Sequence, residues 1–220
     1  MNGFFKQDSK LTRFLTAVVD LFVLQLLFIL CSLPVFTIGA SVTALFSVYR
    51  KLRQETTSVV IKPFFEEFKA NFKQSTLVWL MFMFAAIVIA ADLYVLYSLK
   101  TTASVVAVII TYFFIILIVI TLVYVFPLIA WFQNDTFEQV KNALRMGISN
   151  IGVTIAVVAV YGVTVITGFI YFPIVALFGI SGSAFFADKL LYRVFKKYIT
   201  DNDENMLIEE NTDGSAEDNK

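Results

Sequence analysis

The sequence predicts an all-α, polytopic helical membrane bundle with five full spans, a short sixth or re-entrant helix, and amphipathic interface helices. The first observation behind this is composition, because 59% of the 220 residues are hydrophobic and only 15% are charged. In soluble domains, roughly 45–50% of the residues are apolar and about 25% are charged. The second is the length of the charge-free runs, which cover residues 21–49, 101–134 and 146–187. The third is a pair of segments in which apolar residues recur at helical spacing among charges.

The apolar runs divide into segments of a length that suits a bilayer. About 20 apolar residues in a helix cross the hydrocarbon core of roughly 30 Å. Within a single membrane domain at 1–200, the embedded segments are predicted at 14–33, 35–49, 76–98, 104–126, 150–170 and 174–192. The last two are separated by a turn near Gly168 to Pro173.

Two amphipathic helices are predicted at the membrane interface, at about 61–73 and 135–147. Their apolar side chains would lie at the acyl boundary and their charges in water. Residues 201–220 differ from the rest of the chain, since they hold eight acidic side chains and one lysine. We expect this acidic segment to be disordered, because it has few residues able to form a core.

The stretch from Leu33 to Gly39 (LPVFTIG) interrupts the first apolar run. Breaking a helix at membrane depth frees backbone groups, which must then find partners in protein or water. This hinge allows two paths: residues 35–49 return across the membrane, or they continue outward in one long span. As a helix, these fifteen residues cover only about 22 Å, so a return requires tilt, local thinning or a re-entrant path.

The positive charges favour the return. With a return at the hinge, 16 of the 17 Lys and Arg residues lie on one side and only Lys100 lies on the other. A single crossing before Arg50 would divide them 13 to 4. Because cytoplasmic loops are enriched in Lys and Arg, we expect a multi-pass membrane protein with both termini in the cytoplasm.

The two amphipathic segments align without a gap at an offset of 72 residues. Phe65 to Lys73 (FEEFKANFK) and Phe137 to Arg145 (FEQVKNALR) are identical or similar at seven of nine positions. Either an internal repeat or chance similarity between two amphipathic helices explains this match. A repeat would define architecture only.

Few residues within the apolar segments stand out as polar or helix-breaking. The candidate intramembrane polar or hinge residues are Asp20, Gln25, Pro34, Thr37, Gly39 and Asp92. Asp20 and Gln25 either lie near the cytoplasmic end or face neighbouring helices, or they line a substrate path, since ionisable groups at depth are often functional. Asp92 precedes Lys100 by about two helical turns, which favours a carboxylate at the membrane edge.

The sequence gives no support for catalysis. It contains no histidine and a single cysteine, Cys31, so the commonest metal ligand and acid–base group is missing and no cysteine-based metal site can form. It also lacks a glycine-rich phosphate motif. We therefore expect a non-enzymatic protein with no catalytic residues, cofactor or metal. Nucleic acid is not an expected partner, because orientation and anionic lipid explain the basic residues better.

A family resemblance is carried by the hinge and the first interface motif together. LPVFTIGA at 33–40, ALFSVY at 44–49 and the pattern FxxFKxNFKQ at 65–74 resemble the YesL-like family of bacterial multi-pass membrane proteins. The similarity runs from about Phe4 to Tyr198 and excludes the acidic segment. Members look like proteins of unknown molecular function, often associated with carbohydrate uptake. The resemblance therefore implies a setting, the bacterial cytoplasmic membrane, and no site residues.

Two functions follow as hypotheses. The first, which the resemblance alone implies, is a membrane protein accessory to carbohydrate uptake, with the lipid bilayer and membrane transport components as partners. The second is a small-molecule transporter or channel. A pore needs convergent polar groups, and one chain has few of them, so this function would call for an oligomer.

Overall fold

The computed structural model describes residues 10–54, 59–99, 101–132, 134–170 and 178–199. Helices account for almost all of these residues, and they contain no strand, so the predicted all-α class is confirmed for this part of the chain. The helices are α1 (Lys10–Cys31), α2 (Ile38–Arg53), α3 (Ile61–Leu99), α4 (Thr102–Trp131), α5 (Thr136–Ser149), α6 (Ile151–Ile170) and α7 (178–199). A short 3-10 turn, Val35–Thr37, precedes α2.

Three helices in the described residues are long and apolar enough to cross a membrane: Ile61–Leu99, Thr102–Trp131 and Ile151–Gly168. Leu15–Cys31 is a shorter apolar stretch within α1. The predicted count of five full spans and a short sixth is therefore not confirmed, although the membrane character of the bundle is supported. The large apolar side chains on the outer faces of α3, α4 and α6 are exposed, which suits a lipid environment.

The short helix α2 lies at the centre of the bundle. Every residue from Gly39 to Tyr49 except Val42 is buried. The helix runs antiparallel to α3, since Gly39 lies against Ser75 and Trp79 while Lys51, three turns later, contacts Glu67. Its small residues allow α3 and α4 to approach closely, as is common where helices pack in lipid.

The helix α3 is continuous where the sequence predicts an interface helix at 61–73 and a separate span at 76–98. Neither Pro nor Gly occurs between Phe64 and Leu99, so nothing in this stretch breaks the helix. Pro63 lies in the first turn, where its missing N–H removes no helical hydrogen bond. At 1.5 Å per residue, α3 extends about 58 Å, so its charged first part (residues 61–73) projects beyond the hydrocarbon core.

The helix α4 begins with a capping box formed by Thr101 and Ser104. It continues through Pro127, a residue that cannot donate to the carbonyl four positions earlier, at Val123. The second amphipathic segment does not continue into its span as the first does, because α5 ends at Ser149 and α6 begins at Ile151, with Asn150 between them. The Oγ1 atom of Thr154 lies within hydrogen-bond distance of the carbonyls of Gly147 and Asn150, which stabilises this break.

The ends of several helices meet at one end of the bundle. Here α2 stops, α3 and α5 start, and α4 and α7 contact each other through Trp131 and Tyr192. The Nε2 atom of Gln74 on α3 donates to the carbonyl of Asn134, just before α5, at 2.7 Å. We call this the basic end, because it carries the cations of α2, α3, α5 and α7. The predicted start of the last span at 174 and the acidic segment 201–220 lie outside the described residues.

We predict that Gly39→Ala destabilises the bundle. A Cβ atom at position 39 would lie 2.6 Å from the Ser75 carbonyl oxygen and 2.7 Å from the Trp79 Cβ, so α2 and α3 would have to separate. Overpacking of this kind costs about 1–3 kcal/mol. Thermal unfolding in detergent measures the effect.

Gly162→Ala on α6 is the matched control, since a Cβ there would meet no atom within 4 Å. It should be neutral or slightly stabilising, because Ala favours a helix over Gly. Equal unfolding temperatures for the two variants would contradict the close approach at Gly39.

Candidate functional site

The hinge between α1 and α2 is a compact turn whose backbone is partnered by side chains. The Thr37 Oγ1 lies 2.6 Å from the carbonyl oxygens of both Cys31 and Pro34. The indole N–H of Trp79 donates to the Val35 carbonyl at 2.8 Å. These bonds meet the requirement that a broken helix at membrane depth satisfies its freed carbonyls. Leu33, Pro34, Val35 and Phe36 are nevertheless exposed on the surface.

Three hydroxyl groups on the buried faces of α2 and α3, those of Ser41, Thr43 and Ser75, also find partners. The Ser75 hydroxyl donates to Thr43 Oγ1 at 2.8 Å, and Thr43 in turn donates to the Gly39 carbonyl. Ser41 donates to the carbonyl of Thr37. A buried hydroxyl without a partner would be costly, so these bonds let α2 carry polar residues in a buried position.

A second polar junction joins α1, α2 and α7 at Ser181. The side-chain oxygen of Gln25 accepts a hydrogen bond from the Ser181 backbone N–H at 2.8 Å. The Tyr49 hydroxyl lies 2.7 Å from the Ser181 carbonyl and 2.8 Å from its hydroxyl. Gln25 and Ser181 are fully buried, so this junction links three helices without access to solvent.

The third junction is an ion pair between Arg53, at the end of α2, and Asp188 on α7. The Asp188 side chain is only 2% exposed, whereas that of Arg53 is 28% exposed. The Arg53 guanidinium also lies over the Tyr192 ring, 4.4 Å from its centroid, in a cation–π contact. Arg53 thus makes two contacts with α7, and the buried carboxylate has its countercharge.

The fourth junction joins α2 to the charged first part of α3. Lys51 Nζ lies 2.8 Å from Glu67 Oε1, and Arg50 lies 3.9 Å from the same atom. Burial on its own would raise the pKa of the Glu67 carboxyl, but the hydrogen bond from Lys51 and the charges of Lys51 and Arg50 outweigh it. The pKa of Glu67 therefore lies below its usual value.

The six residues predicted from the sequence do not converge on one path. Thr37 and Gly39 share the hinge with Pro34, while Gln25 lies at the Ser181 junction. Asp20 is half-buried on α1. Asp92 is exposed and accepts a hydrogen bond from Thr111 at 2.7 Å. It follows Trp79 by thirteen residues, about 20 Å along α3, so it lies far from the hinge.

Tyr49, Arg53, Ser181 and Asp188 were not among the predicted candidates. In the sequence, Arg53 belongs to a basic cluster and Asp188 marks the end of an apolar segment, so both fit the description of membrane-edge charges. The one available signal is the position of Asp188, a lone carboxylate directly after an apolar run and directly before a lysine. Its partner lies 135 residues away, which no local pattern reveals.

Two cavities accompany these junctions. An apolar cavity of about 190 Å³ lies beside α2 and is lined by residues of α1, α2, α3, α4, α6 and α7, among them Phe28, Phe46, Val123, Pro127 and Tyr161. A polar cleft of about 660 Å³ opens at the basic end. It is lined by Ala70, Asn71, Gln74, Ile129, Phe132, Asn134, Asp135 and Glu138. Over the described ranges, no group of three or more His, Cys, Asp or Glu residues could hold a metal ion.

Comparison with known proteins relates this architecture to an uncharacterised family. The family model described as "Protein of unknown function, DUF624" matches residues 21–93, which include the hinge, all of α2 and most of α3. The uncharacterised protein YteU of Bacillus subtilis (strain 168) is 31% identical over 178 residues, covering 79% of this chain and 78% of the relative. No solved structure matches the chain. The predicted resemblance to a family of unknown function is confirmed.

We predict that Arg53→Met is strongly destabilising, since it leaves the Asp188 carboxylate buried without a countercharge. Removing one partner of a buried pair typically costs about 3–5 kcal/mol. Arg53→Met combined with Asp188→Leu should recover much of this loss, because neither charge then remains. Unfolding in detergent, read as a double-mutant cycle, measures both effects.

Lys62→Gln is the matched control, because its pair with Glu66 is exposed at both side chains. Exposed pairs of this kind contribute about 0–1 kcal/mol. A double variant less stable than Arg53→Met alone would show that the ion pair does not account for the loss.

We predict that Glu67 makes stability depend on acid pH. A carboxyl whose pKa is lower in the folded state stabilises the fold above its unfolded pKa, and this contribution is lost as pH falls below about 4.5. The unfolding temperature of the wild type should therefore drop more between pH 6 and pH 3 than that of Glu67→Gln. Glu66→Gln, at an exposed pair, should follow the wild type, and an identical pH dependence for Glu67→Gln would refute the prediction.

Proposed function

Since this chain belongs to the DUF624 family of proteins of unknown function, we propose its role from its geometry and its resemblance together. The role is that of a non-enzymatic membrane protein accessory to carbohydrate uptake. The basic end faces the cytoplasm in this proposal, as the distribution of Lys and Arg predicts, and docks a component of the transport system.

The observation that carries this proposal is the pairing of polar groups inside the bundle. Gln25, Tyr49, Thr43 and Asp188 each bond to another part of the protein. A permeation path needs polar groups that face a common water-filled space, whereas these groups form hydrogen bonds and an ion pair inside the protein. The cavity beside α2 is lined mainly by apolar side chains, so it offers little to a hydrophilic solute such as a sugar.

The polar cleft at the basic end is the proposed docking place. It lies between the charged first part of α3 and the start of α5. Asp135 and Glu138 contribute carboxylates, while Asn71 and Gln74 contribute amides. Such a surface fits a partner segment with cationic and hydrogen-bonding side chains, because charged and polar groups across an interface are arranged to complement each other.

A small-molecule transporter or channel is the second candidate, and Asp92 favours it. Its carboxylate is exposed on apolar helix α3, and charged groups in membrane segments usually face protein or water. An oligomer that covers Asp92 with a second copy of the chain would place the carboxylate in such an environment. Proteoliposomes that contain the purified chain would then transport a solute, and Asp92→Asn would alter the rate.

We predict that affinity purification from native membranes, after growth on an inducing carbohydrate, recovers an identified component of a carbohydrate transport system. Asp135→Lys should reduce this recovery about tenfold, because it replaces one of the two carboxylates of the cleft with a positive charge. Lys62→Glu is the control, since Lys62 is an exposed residue of α3 that does not line the cleft. Deletion of the protein should also slow growth on that carbohydrate.

Three results would count against the proposal. The first is recovery of no transport component with the wild type under inducing conditions, and the second is unchanged growth of the deletion strain on a panel of carbohydrates. The third is solute transport by the purified chain alone, which would favour the second candidate.

A further inference from the structure

The helix α7 has one face that packs on the bundle and another that does not. Leu191, Val194 and Phe195 are buried, and Phe195 packs against the rings of Trp131 and Phe132. Lys189, Arg193 and Lys197 are exposed on the other side. Their spacing of four residues places them within about 80° of arc and about 12 Å of helix. We call these three residues the basic stripe.

The basic stripe differs from the cations of the basic end that are paired with carboxylates. Within 4 Å of a carboxylate oxygen lie Arg50, Lys51, Arg53, Lys62 and Lys141. In the described part of the chain, Lys69, Lys73 and Arg145 form no such pair, but they do not line up on one face of α7 as the stripe does. Across the described ranges, no carboxylate forms an ion pair with any residue of the stripe, and no acidic residue occurs on α7 after Asp188. The stripe is therefore a run of positive charge without a countercharge from the described helices.

The sequence supplies a matching negative charge directly beyond α7. Residues 201–220 hold eight acidic side chains and one lysine, whereas residues 1–200 carry 16 Lys and Arg against nine Asp and Glu. The formal net charge of zero is thus the sum of a basic body and an equally acidic segment. The basic body and the acidic segment are therefore adjacent parts of one chain with opposite net charges.

We propose that the acidic segment, residues 201–220, docks on the basic stripe of α7 and shields it from other anions. The distance allows this, because twenty residues reach up to about 66 Å when extended and the stripe is about 12 Å long. The covalent link also favours it, since a short connection raises the effective concentration of the segment at the nearest cations. The first acidic residue, Asp201, follows Lys197 by only four positions.

Docking depends on several charge pairs acting together and is sensitive to salt. A single exposed pair contributes little, but eight carboxylates can exchange partners over the three cations. Salt shortens the screening length from about 30 Å at 0.01 M to about 4 Å at 0.5 M. When the segment is displaced, the stripe becomes available to a competing anion, of which the phosphates of an anionic bilayer are the nearest source.

Zero-length cross-linking of carboxyl to amine groups tests this proposal on the full chain in nanodiscs of neutral lipid. Mass spectrometry should find the acidic segment joined to Lys189 and Lys197 within one chain, which mixing with isotope-labelled protein verifies. The yield should fall about tenfold between 20 mM and 500 mM salt. It should also fall when anionic lipid replaces the neutral lipid.

In the stripe variant K189Q/R193Q/K197Q the acidic segment should no longer dock. A protease should therefore cleave within residues 201–220 faster in this variant than in the wild type at low salt. The matched control K62Q/K69Q/K73Q removes three cations from α3 and should cleave at the wild-type rate. The proposal is overturned by cross-links spread equally to Lys62, by links that join different chains, by yields that do not respond to salt, or by equal cleavage of the two variants.

Discussion

The burial of α2 is the constraint on which the other contacts depend. A helix of sixteen residues spans about 24 Å, and α2 is covered by α1, α3, α4 and α7 along nearly its whole length. Neighbours can approach only because Gly39, Ala40 and Ala44 are small. In lipid there is no large hydrophobic gain from burying an apolar helix, so close packing and hydrogen bonds must hold it. The bonds from Thr43, Tyr49 and Arg53 serve this purpose.

The ion pairs at the basic end determine how α3 and α7 are positioned against α2 more than they add to the free energy of unfolding. Desolvation of a buried carboxylate offsets much of its attraction to an arginine, so a buried pair is weak evidence for a stable fold. The Arg53–Asp188 and Lys51–Glu67 pairs nevertheless define which turns of α7 and α3 lie beside the end of α2. A shift of either helix by one turn would leave a charge without its partner. The pairs therefore select one register among several that apolar packing alone would allow.

Much of the helical content could be predicted from the sequence, and the connections between helices could not. Long charge-free runs indicate membrane helices, and the spacing of Phe64, Phe68 and Phe72 indicates an amphipathic one. The change from amphipathic to apolar near Ser75 also predicts a boundary, yet α3 continues because composition changes there without a helix breaker. Gln25 was a candidate, but its partner Ser181 is 156 residues away. Local spacing carries no information about such a pair.

The structure also bears on the choice between a true repeat and chance similarity of the amphipathic segments. At the offset of 72, Ser75 corresponds to Gly147, and each lies at a close contact with the preceding helix. A Cβ added to Gly39 on α2 would lie 2.6 Å from the Ser75 carbonyl oxygen, and one added to Gly147 would lie 2.3 Å from Ile120 Cγ2 on α4. Both preceding helices run toward the basic end, and both amphipathic segments run away from it. Amphipathic periodicity alone would not place a small residue at the same contact in both units. The correspondence favours a repeat with parallel orientation, whose two units meet at the polar cleft between α3 and α5.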